Sequence, residues 1–328
     1  MNNPAQLAEG RGTGRSAAQI AATIFRRHGI IVAFVVLVVI LALSNQFFMT
    51  WNNWTNIIRQ TAINGVLAVG VTFVILAKGI DLSVGSIAAL SGAVAASFVV
   101  TPDPVGIGMA LVAGIAVGTV MGLFNGACVA WLKLPAFVVT LGTLSIARGL
   151  VYIFTDGRPI SNLSPEFLWL GSGYLFGIPV PIIVLAVVFA AGWFTLRHTV
   201  FGRHVYAVGG SPHAARTGGI RVNRVVVMTY MVSGLLAGIA GMILTARTTA
   251  ALPQAGVAYE LDAIAAVVIG GTSLSGGRGT LVGTLMGALI IGTINNGLDL
   301  MGVSSYYQQV VKGLIIIAAV SLDVSRNR

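Results

Sequence analysis

The sequence predicts an all-α, polytopic membrane protein of about ten transmembrane helices, with both termini in the cytoplasm. Of its 328 residues, 56% are hydrophobic and only 9% are charged, whereas a soluble domain carries about 25% charged residues. Apolar runs of the roughly 20 residues needed to cross a bilayer core recur along the chain. The 42 glycines fit this class, because glycine lets membrane helices approach each other closely.

The apolar runs define a transmembrane domain over residues 29–323, between two cytoplasmic tails at 1–28 and 324–328. The first tail is polar and rich in Gly, Ala, Gln and Arg, so we expect it to be disordered. The eighth predicted span is short and the third begins irregularly. The ten expected spans are 29–48, 61–77, 82–100, 105–131, 136–154, 180–196, 225–245, 261–273, 280–298 and 306–322.

Basic residues are distributed unequally between the two sides of this topology. With the N-terminus inside and ten crossings, all but five of the 19 lysines and arginines lie on the inner side; the exceptions are Arg59, Arg148, Arg158, Arg247 and Lys312. Cytoplasmic loops are enriched in Lys and Arg, so this asymmetry places both termini in the cytoplasm. The net charge of +10 does not indicate a nucleic-acid partner, because the basic residues form no continuous face.

The longest polar interruption is the cytoplasmic loop 197–224, which carries five arginines and no acidic residue. Inside it, a helix-sized segment from Ser211 to Thr217 lies between the glycine pairs 209–210 and 218–219, which are expected to break the chain before and after it. Ser211 suits the N-cap of a short helix and Pro212 suits its first position. Two interpretations fit this pattern: a docking surface for a cytoplasmic partner, or an ordinary positive loop that sets topology.

No enzyme motif is present. The sequence contains no HExxH, no GxSxG and no phosphate-binding GxxxxGK[ST], so we expect no catalytic residues and no nucleotide bound by this chain. The single cysteine, Cys128, lies in an apolar run, which gives no disulfide framework and no metal cluster. We therefore expect neither a metal nor another cofactor in this chain; if transport consumes ATP, another chain must bind it.

Several polar residues lie in or beside the predicted spans. The segment GIDLSVGS at 79–86 places Asp81 and Ser83 between glycines, which suits either a broken helix lining a cavity or a structural turn. A second group, of Asn, Gln and Tyr side chains beside the last outer loop, could hydrogen-bond a polyol, or could form an interfacial aromatic belt with hydrogen bonds between helices. Asn125, within a span, has the same two interpretations. The second group is Asn295, Asn296, Tyr306, Tyr307 and Gln308.

Ionisable residues within spans are costly and therefore indicate function. Lys312 either pairs with a carboxylate on another helix, with Asp262 or Glu260 as candidates, or extends to the surface. Arg148 lies toward the outer end of its span and is expected to extend to the surface. The small number of carboxylates within spans argues against a proton-coupled carrier.

Three stretches carry a resemblance to a known family. They are GIDLSVGS at 79–86, FGRHVYAVGGSPHAARTGGIRVNR at 201–224, and the long stretch from YELDAIAAVVIGGTSLSGGRG to SSYYQQVVKG at 259–313. They resemble the permease subunits of bacterial ABC importers for ribose, xylose, arabinose and related monosaccharides. The similarity covers nearly the whole chain after about residue 26 and is greatest to the ribose branch.

This resemblance implies import of a monosaccharide, ribose or a similar pentose, across the bacterial inner membrane by alternating access. It implies a homodimeric permease surrounded by membrane lipid, with cytoplasmic ATPase subunits that bind ATP–Mg and a periplasmic sugar-binding protein that docks on loops 156–177 and 248–260. The alternatives are another small polar cargo, such as a nucleoside or a furanose-like signal, and an ATP-independent secondary carrier. A purely structural scaffold fits the polar residues at span ends poorly.

The resemblance also assigns roles to particular residues. It implies that 209–220 is the coupling segment, which inserts into a cleft on the ATPase, with Gly209, Gly210, Ser211, Pro212, Ala214, Ala215, Gly218, Gly219 and Ile220 as its main residues. The candidate pathway residues follow from the polar side chains described above and not from the resemblance: Asp81, Ser83, Asn125, Asn295, Asn296, Tyr306, Tyr307 and Gln308.

Overall fold

The computed structural model describes residues 17–102 and 104–326 and is built mostly of α-helices. The helices are α1 (Ala17–Ser44), α2 (Trp51–Leu76), α3 (Val84–Ser97), α4 (Ile107–Ala130), α5 (Ala136–Thr155), α6 (Pro165–Ser172), α7 (Val180–His198), α8 (Val200–Gly210), α9 (Pro212–Thr217), α10 (Val222–Arg247), α11 (Tyr259–Ile269), α12 (Leu281–Leu300) and α13 (Ser305–Arg326). Between α6 and α7 lies a two-stranded antiparallel hairpin of β1 (Tyr174–Leu175) and β2 (Ile178–Pro179).

Six of these helices are long and apolar enough to cross a membrane: α2, α4, α5, α7, α10 and α12. They confirm the predicted helical membrane class. The hairpin β1–β2 was not predicted, because its turn lacks the Asn-Gly or Asp-Gly pair that marks a tight hairpin turn. The turn instead uses Phe176 and Gly177, both with positive φ, at 51° and 77°.

Two of the predicted spans correspond in the structure to helices that are too short to cross the membrane alone. Helix α3 has 14 residues and α11 has 11, and at 1.5 Å per residue neither helix alone crosses a core of about 30 Å. The predicted eighth span, 261–273, is helical only to Ile269. The chain then turns at Gly270 and Gly271, the latter with a φ of 85°.

The predicted tails are partly helical. Residues 17–28, expected to be disordered, form the first part of α1, because their alanine-rich sequence favours continuation of the helix that follows. The remainder of that tail, 1–16, lies outside the described residues. At the other end, α13 continues to Arg326, so it includes most of the tail predicted at 324–328.

Helix α10 lies at the centre of the bundle and packs against α2, α3, α4 and α6. Its contact with α4 depends on glycines, since backbone atoms of α10 occupy the space where side chains of Gly118 and Gly122 would lie. The carbonyl oxygen of Gly234 approaches Gly118, and that of Tyr230 approaches Gly122. Small residues bring the two backbones into direct contact, as is usual at interfaces between membrane helices.

Gly122→Ala tests this close approach. The added methyl group would collide with the carbonyl of Tyr230 and the backbone of Gly234, and overpacking of this kind costs about 1–3 kcal/mol. We expect a lower midpoint of thermal unfolding for the purified protein in detergent. Gly142→Ala is the matched control, because no atom lies within 4 Å of that position and alanine favours helix formation; an equal loss in both variants would contradict the role of the α4–α10 contact.

Candidate transport site and coupling segment

The chain leaves helical conformation inside the bundle between α2 and α3. Helix α2 ends at Leu76, Lys78 adopts a φ of 68°, and α3 does not begin until Val84. Within this gap the carboxylate of Asp81 accepts a hydrogen bond from the hydroxyl of Ser233, at 2.8 Å. Ser233 lies near the middle of the 26-residue α10, so the non-helical segment 77–83, the broken segment, reaches the mid-height of the bundle.

Asp81 is the centre of a buried polar network. Its Oδ1 accepts the backbone N–H of Ser83 at 3.0 Å and the Ser83 hydroxyl at 2.6 Å. The amide nitrogen of Asn125 on α4 donates to Ser83 Oγ at 2.8 Å, and Thr143 on α5 donates to Asn125 Oδ1 at 2.6 Å. Asp81, Ser83 and Asn125 have no exposed surface, so the network joins the broken segment to α4, α5 and α10.

The structure therefore brings together three of the predicted pathway residues, Asp81, Ser83 and Asn125. It adds Thr143 and Ser233, which sequence reasoning missed because a single hydroxyl residue in an apolar span carries little signal. Ser83, and not Asp81, occupies the N-cap position of α3; Asp81 instead accepts the Ser83 backbone N–H. Each of these buried side chains has at least one hydrogen-bond partner, which indicates a structural role for the network. Its contact with cargo stays a prediction.

The remaining predicted pathway residues lie in separate places. Asn296 exchanges two amide hydrogen bonds with Asn53 on α2, at 2.9 and 2.8 Å. Gln308 is buried and donates to Asp299 at 2.7 Å, whereas Tyr306 and Tyr307 are 82% and 70% exposed. These residues do not form one site with the Asp81 network within the described part of the chain.

Asn295 belongs to a second buried polar cluster with Asp262 and Lys312. Lys312 Nζ lies 2.9 Å from Asp262 Oδ2, which selects Asp262 from the two partners expected for this lysine. Asn295 donates to the same oxygen at 3.4 Å. The Oδ1 atoms of Asp262 and Asn295 are buried without a hydrogen-bond partner in the described residues, so the cluster retains unused capacity to accept hydrogen bonds.

Arg148 is only partly exposed, and its guanidinium binds protein carbonyls where the prediction had it extend to the surface. Its Nη1 donates to the carbonyl oxygens of Pro253 and Ala255, at 2.7 and 2.8 Å. These two carbonyls belong to the turn before α11 and lie within hydrogen-bond distance of the guanidinium. Arg148 therefore fixes that turn against α5.

The predicted coupling segment contains a short helix, α9, with the expected caps. Ser211 Oγ accepts the backbone N–H of Ala214 at 3.2 Å, Pro212 is the first residue of α9, and Gly218 caps its end. Gly209 and Gly210, predicted as a break, are instead the last residues of α8. Ala215 is buried, whereas Ala214 and the two glycines after the helix are exposed, so α9 presents one free face.

Gly209 attaches this segment to two other elements. The Leu76 carbonyl at the end of α2 and the backbone of Gly277 lie where a side chain of Gly209 would be. Gly277 N donates to Leu76 O at 2.9 Å, and the hydroxyl of Tyr206 on α8 donates to Gly279 O at 3.0 Å. The end of α8, the end of α2 and the turn before α12 thus meet at one place, here called the glycine junction (Leu76, Gly209 and Gly277).

The two loops predicted to receive an outer partner are also joined. Ile160, in loop 156–177, and Ala251, in loop 248–260, exchange backbone hydrogen bonds of 3.1 and 2.9 Å. Helix α6, in the first loop, packs against α10. The two loops consequently form one surface.

A bundle of apolar helices with an internal break and an exposed, rigidly attached short helix defines the class of membrane transport permeases. The chain belongs to the family described as "Branched-chain amino acid transport system / permease component", which matches residues 53–320. No solved structure matches the chain.

Relatives of known description are similar over nearly their whole length. The chain is 50% identical over 307 residues to the ribose import permease protein RbsC of Bacillus subtilis (strain 168), covering 93% of this chain and 94% of the relative. It is 48% identical over 296 residues to RbsC of Haemophilus influenzae, covering 89% and 91%. It is 42% identical over 295 residues to the D-allose transport system permease protein AlsC of Escherichia coli (strain K12), covering 88% and 90%.

Asp81→Asn tests the buried network. The amide would place a donor where the carboxylate accepts hydrogen bonds from Ser83 and Ser233, and an unsatisfied buried polar group costs about 1–3 kcal/mol. We expect a clear fall in the thermal midpoint in detergent. Asp156→Asn is the control, because Asp156 is exposed and asparagine tolerates its left-handed backbone. Equal stability of both variants would contradict the stabilising role of the network.

Proposed function

We propose that this chain is the transmembrane permease of an ATP-driven importer that carries ribose, or a closely similar pentose, across the bacterial inner membrane. One observation carries the proposal: identity is 48–50% to proteins named as ribose import permeases, above the 42% to an allose permease and the 36% to a xylose permease. These relatives are all named for monosaccharides, so a nucleoside or a furanose-like signal is not favoured as cargo.

The proposed partners are two cytoplasmic ATPase subunits, a periplasmic sugar-binding protein and a second copy of the permease, surrounded by lipid. The exposed face of α9 suits insertion into the ATPase, and the joined loops at Ile160 and Ala251 suit the sugar-binding protein. ATP–Mg is bound by the ATPase, and no cofactor is bound by this chain. The permease moves its cargo without covalent chemistry.

The proposed topology keeps about ten membrane helices and both termini in the cytoplasm. Six helices are long enough to cross alone; α1, α3, α11 and α13 complete the set. Helices α3 and α11 begin within the bundle and reach only one side. The distribution of Lys and Arg supports this orientation.

The proposed mechanism is alternating access driven through the glycine junction. ATP-dependent closure of the ATPase subunits moves α9 and α8. Because Gly209 touches Leu76 and Gly277, the movement passes directly to α2 and to the turn before α12. Gaps such as the broken segment let connected helices move relative to each other, as in other transporters with discontinuous helices.

Uptake by a reconstituted complex tests the cargo and the energy source. Vesicles containing the permease and its ATPase, with the sugar-binding protein outside and ATP inside, should accumulate radiolabelled ribose. Unlabelled ribose should compete more strongly than D-allose or D-xylose. Uptake that persists without the ATPase would establish a secondary carrier instead, and stronger competition by a nucleoside would change the cargo.

Ala214→Glu tests the coupling segment. The side chain of Ala214 is exposed on α9, so a charge there changes the docking face without disturbing the buried Ala215. We expect at least a tenfold loss of ATPase recovered with the purified permease, the equivalent of about 1.4 kcal/mol. Ser172→Glu, at an exposed position in the short helix α6, should leave recovery unchanged. Undiminished recovery with Ala214→Glu would place docking elsewhere.

A further inference from the structure

Two short helices begin beside each other in the structure. Gly85 is the second residue of α3, and Glu260 is the second residue of α11. The carbonyl oxygen of Gly256 and the Oε2 atom of Glu260 occupy the space where a side chain of Gly85 would lie. The carboxylate of Glu260 is thus held against the start of α3.

Contacts with α10 fix the height of this meeting point. Asp81 bonds to Ser233, near the middle of α10, and Ala88 lies against Gly241, closer to the end of α10 at Arg247. Gly85 lies along the chain between Asp81 and Ala88. Since α10 is about 39 Å long at 1.5 Å per residue, Glu260 lies in the central part of the bundle and not at either membrane surface.

Glu260 is also incompletely covered by protein. Its side chain is partly exposed, beside Val257 and Leu261, which are 56% and 42% exposed. It forms no ion pair within 4.0 Å among the described residues. A charged group facing lipid at this depth is expensive, so intramembrane charges face either a protein interior or a water-filled cavity. If Glu260 served only to contact the start of α3, its side chain would not need to be partly exposed.

Arg148 contacts the turn that leads into α11, the helix that carries Glu260. Its Nη1 atom donates to the carbonyls of Pro253 and Ala255, and Ala255 lies five residues before Glu260 in the chain. Within the described residues, Nη2 and Nε of Arg148 form no hydrogen bond, and the side chain is partly exposed. Arg148 thus offers donors that no described residue uses, and the Glu260 carboxylate offers acceptor lone pairs beyond those that backbone N–H groups take. When both are ionised, the two side chains carry no net charge.

We propose that Glu260 and Arg148 line a water-filled stretch of the translocation pathway and exchange hydrogen bonds with the hydroxyl groups of the cargo. A carboxylate accepts hydrogen bonds from sugar hydroxyls, and a guanidinium donates to their oxygens. Such a pair suits a neutral polyol, which needs both and carries no charge. The identity of the cargo rests on the proposed function; the water-filled path does not.

Thiol labelling tests the path directly. The chain has one cysteine, so Cys128→Ala gives a cysteine-free background for Glu260→Cys. A positively charged, water-soluble methanethiosulfonate reagent should react with this thiol in the reconstituted complex. Val187→Cys is the matched control, because Val187 is 63% exposed in the middle of the apolar helix α7 and faces lipid in this proposal. No reaction at Glu260→Cys, or equal reaction at both positions, would overturn the proposal.

Glu260→Gln tests contact with the cargo. Loss of the charge-assisted hydrogen bond should lower ribose uptake about tenfold or more, while complex assembly and ATP hydrolysis stimulated by the sugar-binding protein persist. Glu260→Asp, which keeps the carboxylate, is the matched control and should restore part of the uptake. Unchanged uptake with Glu260→Gln would refute the contact. Labelling at Glu260→Cys without any ribose uptake by the unmodified chain would refute the proposed cargo and leave the path standing.

Discussion

The hydrogen bond between the Asp81 carboxylate and Ser233 is the interaction on which the rest of the bundle depends. A gap in helical structure inside a membrane protein leaves backbone groups that lipid cannot satisfy. Here the gap is tolerated because Asp81 accepts the Ser83 backbone N–H and ties the segment to α10. The hydroxyls of Tyr230 and Thr140 donate to the Ile80 carbonyl, at 3.1 and 3.3 Å. With these groups satisfied, α3 can begin at mid-height.

Glycine makes room for this arrangement. The Tyr230 hydroxyl occupies the space where a side chain of Gly79 would lie, and the Tyr230 carbonyl lies against Gly122 of α4. One residue of α10 therefore contacts both the broken segment and a neighbouring helix. Close backbone contact also means that a shift of α10 must be accompanied by a shift of α4, because interiors at this density do not deform continuously.

The sequence predicted features that depend on local chemistry. The helical membrane class follows from composition, and the caps of α9 follow from Ser211, Pro212 and Gly218. The predictions that failed concern the depth in the membrane at which a helix begins and the partner that a side chain contacts. Hydropathy does not distinguish a helix that crosses the bilayer from one that starts inside it, so α3 and α11 were expected to be full spans. Arg148 bonds to carbonyls about 105 residues away, a choice made by packing that no local pattern records.

The two short helices connect the glycine junction to the centre of the bundle. Helix α11 carries Glu260 at its start, and its other end, at Ile269, leads into the turn that contains Gly277. Helix α3 starts only eight residues after Leu76, the other member of the junction. Both elements that meet at Gly85 and Glu260 are thus tied by short connections to the place where α8 is anchored. In the proposed mechanism, α11, which is about 16 Å long at 1.5 Å per residue, is the direct connection by which a displacement of α9 would reach the Glu260 carboxylate.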